Sequence, residues 1–135
     1  MAIKQRLPRI AHGIEPSFRL IELFRKGDTK GAVAQLRAEL AEQPEPQMVY
    51  LNWELILGAL EQGIDLVAIC RGEGKKVDAW TFTLADPAGG FSDREWRDFS
   101  QLLALGVDQI TTDEAIATEQ AYLARLESAR PRAPL

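Results

Sequence analysis

One cysteine and one histidine are all that 135 residues contain of two side chains heavily used for metal binding and nucleophilic chemistry. The lone cysteine, Cys70, excludes an internal disulfide and any CxxC or zinc spacing, and it fits a reducing compartment. In "IDLVAICRG" it reads as a small apolar residue on a helix. No apolar run approaches the roughly 18 residues that cross a bilayer. The opening "MAIKQRLPRIAHG" is basic but lacks the apolar segment and small-residue cleavage site of a secretion signal, so a cytoplasmic location is expected. Positive charge is not in excess either. Sixteen Lys and Arg against 20 Asp and Glu leave a net charge of -4, which argues against a general nucleic-acid or anionic-membrane binder.

What is present is ordinary for a globular domain: 46% hydrophobic and 27% charged residues, in a chain long enough to bury a core. Residues 1–14 read as a basic extended arm with a short strand at Arg9–Ala11. Residues 15–128 read as one domain, and 129–135, "ARPRAPL" with its two prolines, as a flexible tail.

Within the domain, "EPSFRLIELFRKGD" predicts a helix with Pro16 in its first turn, a stripe of Phe18, Ile21 and Phe24, and a stop at Gly27. Asp28 or Thr29 caps a second helix with Val33, Leu36 and Leu40 on one face, ended by "EQPEP". "QMVYLNWELILGALEQG" keeps both periodicities; it is read as a strand over 47–52 and a helix over 53–62. A helix follows over 64–72. "KVDAWTFTL" is β-branched and aromatic without a breaker, hence a strand. Ser92 and Glu95 have capping-box spacing ahead of Trp96, Phe99 and Leu103, and Gly106 closes that helix. "VDQIT" is a short strand. Thr111 and Glu114 repeat the capping-box spacing and open a last helix carrying Ile116, Leu123 and Leu126.

From residue 47 the order is therefore strand, helix, strand, helix, strand, helix. Connections of that length imply parallel strands, and ligands of parallel α/β folds gather at the strands' carboxyl ends. Asp86 and Asp113 would then stand near one rim. "RGEGKK" at 71–76 has a glycine-rich look but precedes a strand instead of opening a helix, so it reads as a helix stop with a solvated charge run. Asp65 and Asp78 read as surface groups, Trp53 and Trp96 as core or interface residues, and Asp86 before Pro87 as the start of a turn.

From about Gly63 to Leu123 the chain resembles the C-terminal end of the glycerophosphodiester phosphodiesterases. "VDAWTFTLAD" is similar to that family's seventh barrel strand with its WT pair. "LLALGVDQITTDEA" is similar to the helix end and eighth strand, and "FSDREWRDF" to its long seventh loop. The resemblance implies an α/β fold of partial TIM-barrel (β/α) units, here preceded by two N-terminal helices. It also implies a divalent metal, Mg or Ca, and a substrate site lined by Trp80; the plainer alternative is a core tryptophan at a strand centre. Departures are Gln109, where the family has glycine, and Ala115, where it has proline. The family uses two histidines and a Glu-x-Asp metal pair from its N-terminal half. This chain holds only His12, a candidate catalytic residue alongside Glu54 whose plainer reading is a solvated or capping histidine in the arm. Glu54 remains as a candidate carboxylate at a strand end, and Asp113 as a helix cap or metal contact.

A closed barrel needs about 200–250 residues. An open half would expose strand edges and a sheet face unless another chain covers them. The expectation is thus a truncated or degenerate phosphodiesterase, hydrolysing nothing alone, completed by a second copy or a complementing chain, with a glycerophosphodiester as its possible ligand. The alternatives are a non-enzymatic protein-interaction module and a small hydrolase whose site is assembled across an oligomer.

Overall fold

A computed structural model describes residues 1–5, 13–45 and 47–129. The Arg9–Ala11 strand, His12 and the tail from Arg130 lie outside these residues. In chain order the described elements are β1 (Ala2–Gln5), α1 (Ser17–Arg25), α2 (Thr29–Glu42), β2 (Met48–Asn52) and α3 (Trp53–Glu61). There follow α4 (Leu66–Gly72), β3 (Lys76–Trp80), α5 (Asp93–Leu105), β4 (Gln109–Thr112) and α6 (Ala115–Ser128). The strands form one parallel sheet in the order β1-β4-β3-β2, as consecutive β/α units require. The chain's first strand thus lies beside its last. A strand therefore precedes the two N-terminal helices at Ala2–Gln5, a place the sequence pattern did not foretell. At the other side of the sheet Ile14 bridges Val49, also in parallel.

Alternation along each strand divides the sheet into two unlike faces. Val49, Leu51, Val77, Ala79 and Ile110 are fully buried on one face, where α3 and α4 pack on β2 and β3, and α6 packs on β1 and β4. Burial of such side chains contributes about 1.5–3 kcal/mol each. The opposite face carries Tyr50, Asp78, Trp80, Gln109 and Thr111 and is polar.

Side-chain caps open four of the helices, and of these the sequence pattern named the ones at Asp28 and Ser92. Asp28 Oδ1 accepts from the Gly31 amide at 2.8 Å, Asn52 Oδ1 from Leu55 at 3.0 Å, and Asp65 Oδ1 from Ala68 at 2.9 Å. The Ser92–Glu95 capping box closes in both directions, and Gly106 ends α5 at φ 92°, a left-handed conformation that favours glycine.

Several expectations need correction. Phe18 is 71% exposed, and α1 instead buries Ser17, Leu20 and Phe24. Ser17 Oγ donates to the Tyr50 carbonyl at 3.3 Å and accepts from the Asn52 amide at 3.0 Å. That clamp to the end of β2 sets the rotation of α1 and turns Phe18 outward. Thr111 lies within β4 and opens no helix. Instead α6 starts after Glu114 without a side-chain cap, and Thr112 Oγ1 accepts from the Glu114 amide at 3.1 Å. Ile116, Leu123 and Leu126 face solvent. Strand β3 stops at Trp80, although Phe82 N still donates to Thr111 O at 2.9 Å. Lys75 is buried, its ammonium donating to the carbonyls of Gln43 and Glu45 beyond α2, so this part of "RGEGKK" is a fastening and not a solvated run. Asp78, read as a surface group, is fully buried.

Candidate functional site

The carboxyl ends of β2, β3 and β4 are Asn52, Trp80 and Thr112. Beside them opens a cleft of about 460 Å³, lined by Trp53 and Glu54 from the start of α3, Thr81 to Thr83 after β3, Asp113 after β4, and Ser92, Arg94, Glu95 and Asp98 around the start of α5. It forms because all three strands run the same way, so their following loops meet at one end.

The rim is held by short polar links. Thr83 Oγ1 accepts from the Asp113 amide at 3.1 Å and donates to Asp113 Oδ2 at 3.4 Å, joining the loops after β3 and β4. Asp113 O accepts from Gln5 Nε2 at 2.7 Å, which ties β1 to the same corner. Glu95 accepts from the amides of Ser92 at 2.8 Å and Ala85 at 2.9 Å. Burial alone would raise its pKa, but those bonds hold its carboxyl below the ordinary glutamate value. Glu95 is therefore engaged in holding the loop.

The sequence-derived candidates separate in space. Glu54 and Asp113 both line the cleft. Glu54 does so from the first turn of α3, exposed, and not from a strand end pointing inward; a carboxylate there also complements the helix dipole. Asp113 is exposed and does not cap α6. Asp86 makes the expected turn, its carbonyl accepting from Gly89 N at 3.1 Å, and does not line the cleft. Trp80 does not line it either. Its half-buried ring packs at 6.3 Å against Phe18, on the polar side of the sheet. Trp53 and Trp96 belong to an aromatic cluster with Phe82, Phe91 and Phe99, as core residues should.

Among the described residues the charged side chains lining the cleft are Glu54, Arg94, Glu95, Asp98 and Asp113. Among the described residues no three His, Cys, Asp or Glu side chains are grouped to hold a metal ion.

A second polar centre, unforeseen, lies on the sheet face below Trp80. Asp78 Oδ2 accepts from Gln109 Nε2 at 2.5 Å and Thr111 Oγ1 at 2.7 Å. Burial pushes the Asp78 carboxyl above the usual aspartate value, opposed by those two bonds and by the field of Lys4. Burial likewise raises Glu15, opposed by Ser17, Trp80 and Arg19. The signal was the two-residue period itself: Asp78 alternates with Val77 and Ala79, and Gln109 and Thr111 flank Ile110, so all three share one face.

A scan against protein-family models, a search of curated proteins and a search of solved structures each find no match to this chain. Among the described residues no helix is long and apolar enough to cross a membrane.

Proposed function

We propose that this chain is a barrel sector of the glycerophosphodiester phosphodiesterase type that has lost its catalytic half, does not hydrolyse phosphodiesters alone, and works with a second chain. The observation that carries the reading is the parallel pairing of β1 with β4, from Ala2↔Gln109 to Gln5↔Thr112. The sheet is open, with β1 and β2 at its edges, and a first strand set parallel beside a last one is what a sector of a β/α barrel would share with the whole. The WT pair of "VDAWTFTLAD" and the "GVDQITTD" run then fall on neighbouring strands with their carboxyl ends at one cleft. What supports the inactivity is the sequence: with one histidine and no counterpart of the family's Glu-x-Asp pair, the two-histidine mechanism cannot be written with this chain's residues.

The test is turnover of glycerophosphocholine by the pure chain with Mg²⁺ or Ca²⁺. No release of glycerol phosphate above the protein-free control is expected. Metal-dependent turnover that disappears in His12→Ala would overturn the reading and establish the small-hydrolase alternative, with its site assembled across an oligomer.

A second reading, a protein-interaction module, has its own observation. Ile116, Leu123 and Leu126 form one exposed apolar face of α6, on the side of the sheet that ends in β1. The two readings meet if that face is where a second copy or complementing chain docks. Cytoplasmic residence, with its reducing chemistry, is consistent with the single buried thiol.

A further inference from the structure

The two edges of the sheet are treated differently by the chain itself. At β2 the edge is covered: Ile14 N donates to Met48 O at 3.1 Å and Tyr50 N donates to Ile14 O at 2.8 Å. Ser17 Oγ then donates to the Tyr50 carbonyl and accepts from the Asn52 amide, so outward groups are satisfied from Met48 to Asn52. At β1 no such cover exists among the described residues. Ala2 N donates to Asp108 O at 3.0 Å, so Ala2 and Lys4 turn their backbone groups toward β4, and Ile3 turns its amide and carbonyl the other way. Among the described residues neither group of Ile3 has a partner, and β1 is paired on one side alone. A bare edge is a template for another strand, and folded proteins normally block it.

Apolar exposure points to the same side. Five large apolar side chains are exposed among the described residues, and four of them, Met1, Ile116, Leu123 and Leu126, stand at β1 and α6. Tyr122 and Arg125 meet Trp96 of α5, and Thr118 meets Thr112 of β4. The stripe is thereby left on the flank of α6 turned away from α5, above the edge of β1.

This face is matched to its own copy. Two antiparallel edges related by a two-fold axis can set Ile3 opposite Ile3, and such a pair exchanges both N–H···O bonds, so each copy supplies what the other lacks. Ile3 pairs with the buried Ile110 and so projects on the α6 side of the sheet. The levels agree as well. The Ala115 amide donates to Gln5 Oε1 at 3.1 Å, so α6 starts level with the end of β1. At about 3.3 Å per strand residue and 1.5 Å per helix residue, Ile3 is level with about the fifth residue of α6, close to the middle of the span from Ile116 to Leu126. An axis through the Ile3 pair therefore lays Ile116 of one copy near Leu126 of the other. The 14 residues of α6 run about 21 Å, and helix over strand makes the face roughly 15–20 Å deep. That outline is of the order that a small specific dimer needs, about 600 Å² of accessible surface from each copy. Head-to-tail addition of β1 to β2 is blocked by the Ile14 and Ser17 bonds, so the assembly closes at two.

We propose that the chain dimerises about a two-fold axis by pairing β1 with β1 of a second copy, antiparallel about Ile3, with the α6 stripes packed over the joint of one eight-stranded sheet. The proposal names the second chain of the function above and rests on that part of it alone; turnover of glycerophosphocholine tests the phosphodiesterase origin separately.

The full chain is run in sedimentation velocity at roughly 1–100 μM, the range of a modest interface, beside Ile3→Pro. Proline at an outward-facing edge position breaks no hydrogen bond within the chain but removes the shared amide. Wild type should form a dimer, and Ile3→Pro should associate ~tenfold or more weakly with its circular dichroism unchanged. In the register set by Ile3, Ala2 faces Lys4 of the second copy with Cα atoms about 4.5 Å apart, within disulfide reach. Ala2→Cys combined with Lys4→Cys should therefore give a covalent dimer on mild oxidation, the buried Cys70 staying reduced, while neither single variant cross-links. A monomeric wild type sinks the proposal. So does growth past the dimer, an Ile3→Pro that associates like wild type, or a double-cysteine variant that fails to cross-link. If Ile3→Pro does not fold, the cross-link decides alone.

Discussion

Arg71 on α4 places Nη1 at 2.8 and 2.9 Å from the two carboxylate oxygens of Asp108, just ahead of β4, while Asp108 Oδ2 also accepts from the Val77 amide of β3 at 2.9 Å. Three elements are joined through one side chain. Partial burial would raise the Asp108 pKa, but the Val77 amide and Arg71 lower it below the usual value. A carboxylate with a depressed folded pKa stabilises above its unfolded pKa, about 3.9, and loses that stabilisation as pH falls through the folded value. Asp108→Ala should therefore destabilise by about 1 kcal/mol at neutral pH, a modest figure because Arg71 is half exposed. The difference from wild type should vanish in melts carried below that range; a constant difference down to pH 2 would show that packing, not charge, accounts for it.

Asp78 predicts the opposite sign. Its folded pKa is raised, chiefly by burial, so its contribution is favourable below the unfolded value and turns unfavourable as pH rises through the folded one. Asp78→Asn keeps an acceptor for Gln109 and Thr111 and removes the buried charge. The variant should melt higher than wild type between pH 6 and 8, by a gain on the order of 1 kcal/mol. The gain should shrink as the pH drops toward 4. A variant less stable than wild type at neutral pH would mean that the charge is compensated in the free protein.

The Ser92–Glu95 capping box links helix stability to the shape of the cleft. Ser92→Ala removes the acceptor for the Glu95 amide at 3.1 Å and should cost about 1 kcal/mol. Because the Glu95 carboxylate also takes the Ala85 amide, amide exchange should speed up at Ala85 as well as at the start of α5. Faster exchange confined to α5 would show that the loop is held independently.

Cys70 is fully buried on α4, and burial pushes its thiol up to about 12. The thiolate that reacts with disulfide reagents is then scarce at pH 7. Labelling of the native chain should be slower by orders of magnitude than in denaturant, with a rate that follows unfolding. Prompt labelling in native buffer would place the thiol in an accessible, low-pKa setting and contradict the packing of α4.

How much of this was legible depends on which physical signal each residue carried. Local signals read well. Asp28, Ser92, Gly27 and Gly106 act within one helical turn, and their chemistry is the same in any fold. The parallel β/α order from residue 47 followed from periodicity and connection length. What failed was rotation and solvation set at a distance. Phe18 faces out because Ser17 is clamped to β2, 33 residues away. Lys75 is buried because the chain after α2 offers two carbonyls. Asp78 is an acid inside a strand whose partners, Gln109 and Thr111, lie more than 30 residues downstream. Of the candidate site, Glu54 and Asp113 do share a cleft, but Trp80 faces the other way, since one residue along a strand exchanges the two sides of a sheet.

The last helix carries the most direct test of association. Thr118 is buried, and Arg125 lies 5.5 Å over the Trp96 ring while donating to Phe91 O at 3.1 Å, so that side of α6 faces the body of the protein. Ile116, Leu123 and Leu126, exposed by 76, 55 and 46%, recur at intervals of seven and three and share the outward side. An apolar stripe of this kind loses free energy in water and gains it against a like surface, and a two-fold dimer would bury it against itself. Wild type should sediment as a dimer at concentrations on the order of tens of micromolar, typical of a modest interface. Ile116→Glu combined with Leu123→Glu should give a monomer whose melting no longer depends on protein concentration, with its circular dichroism unchanged because neither side chain supports the core. A wild-type monomer across that range would count against self-association, and a double variant that still dimerises would move the contact away from α6, with the edge strand β1 as the next surface to test.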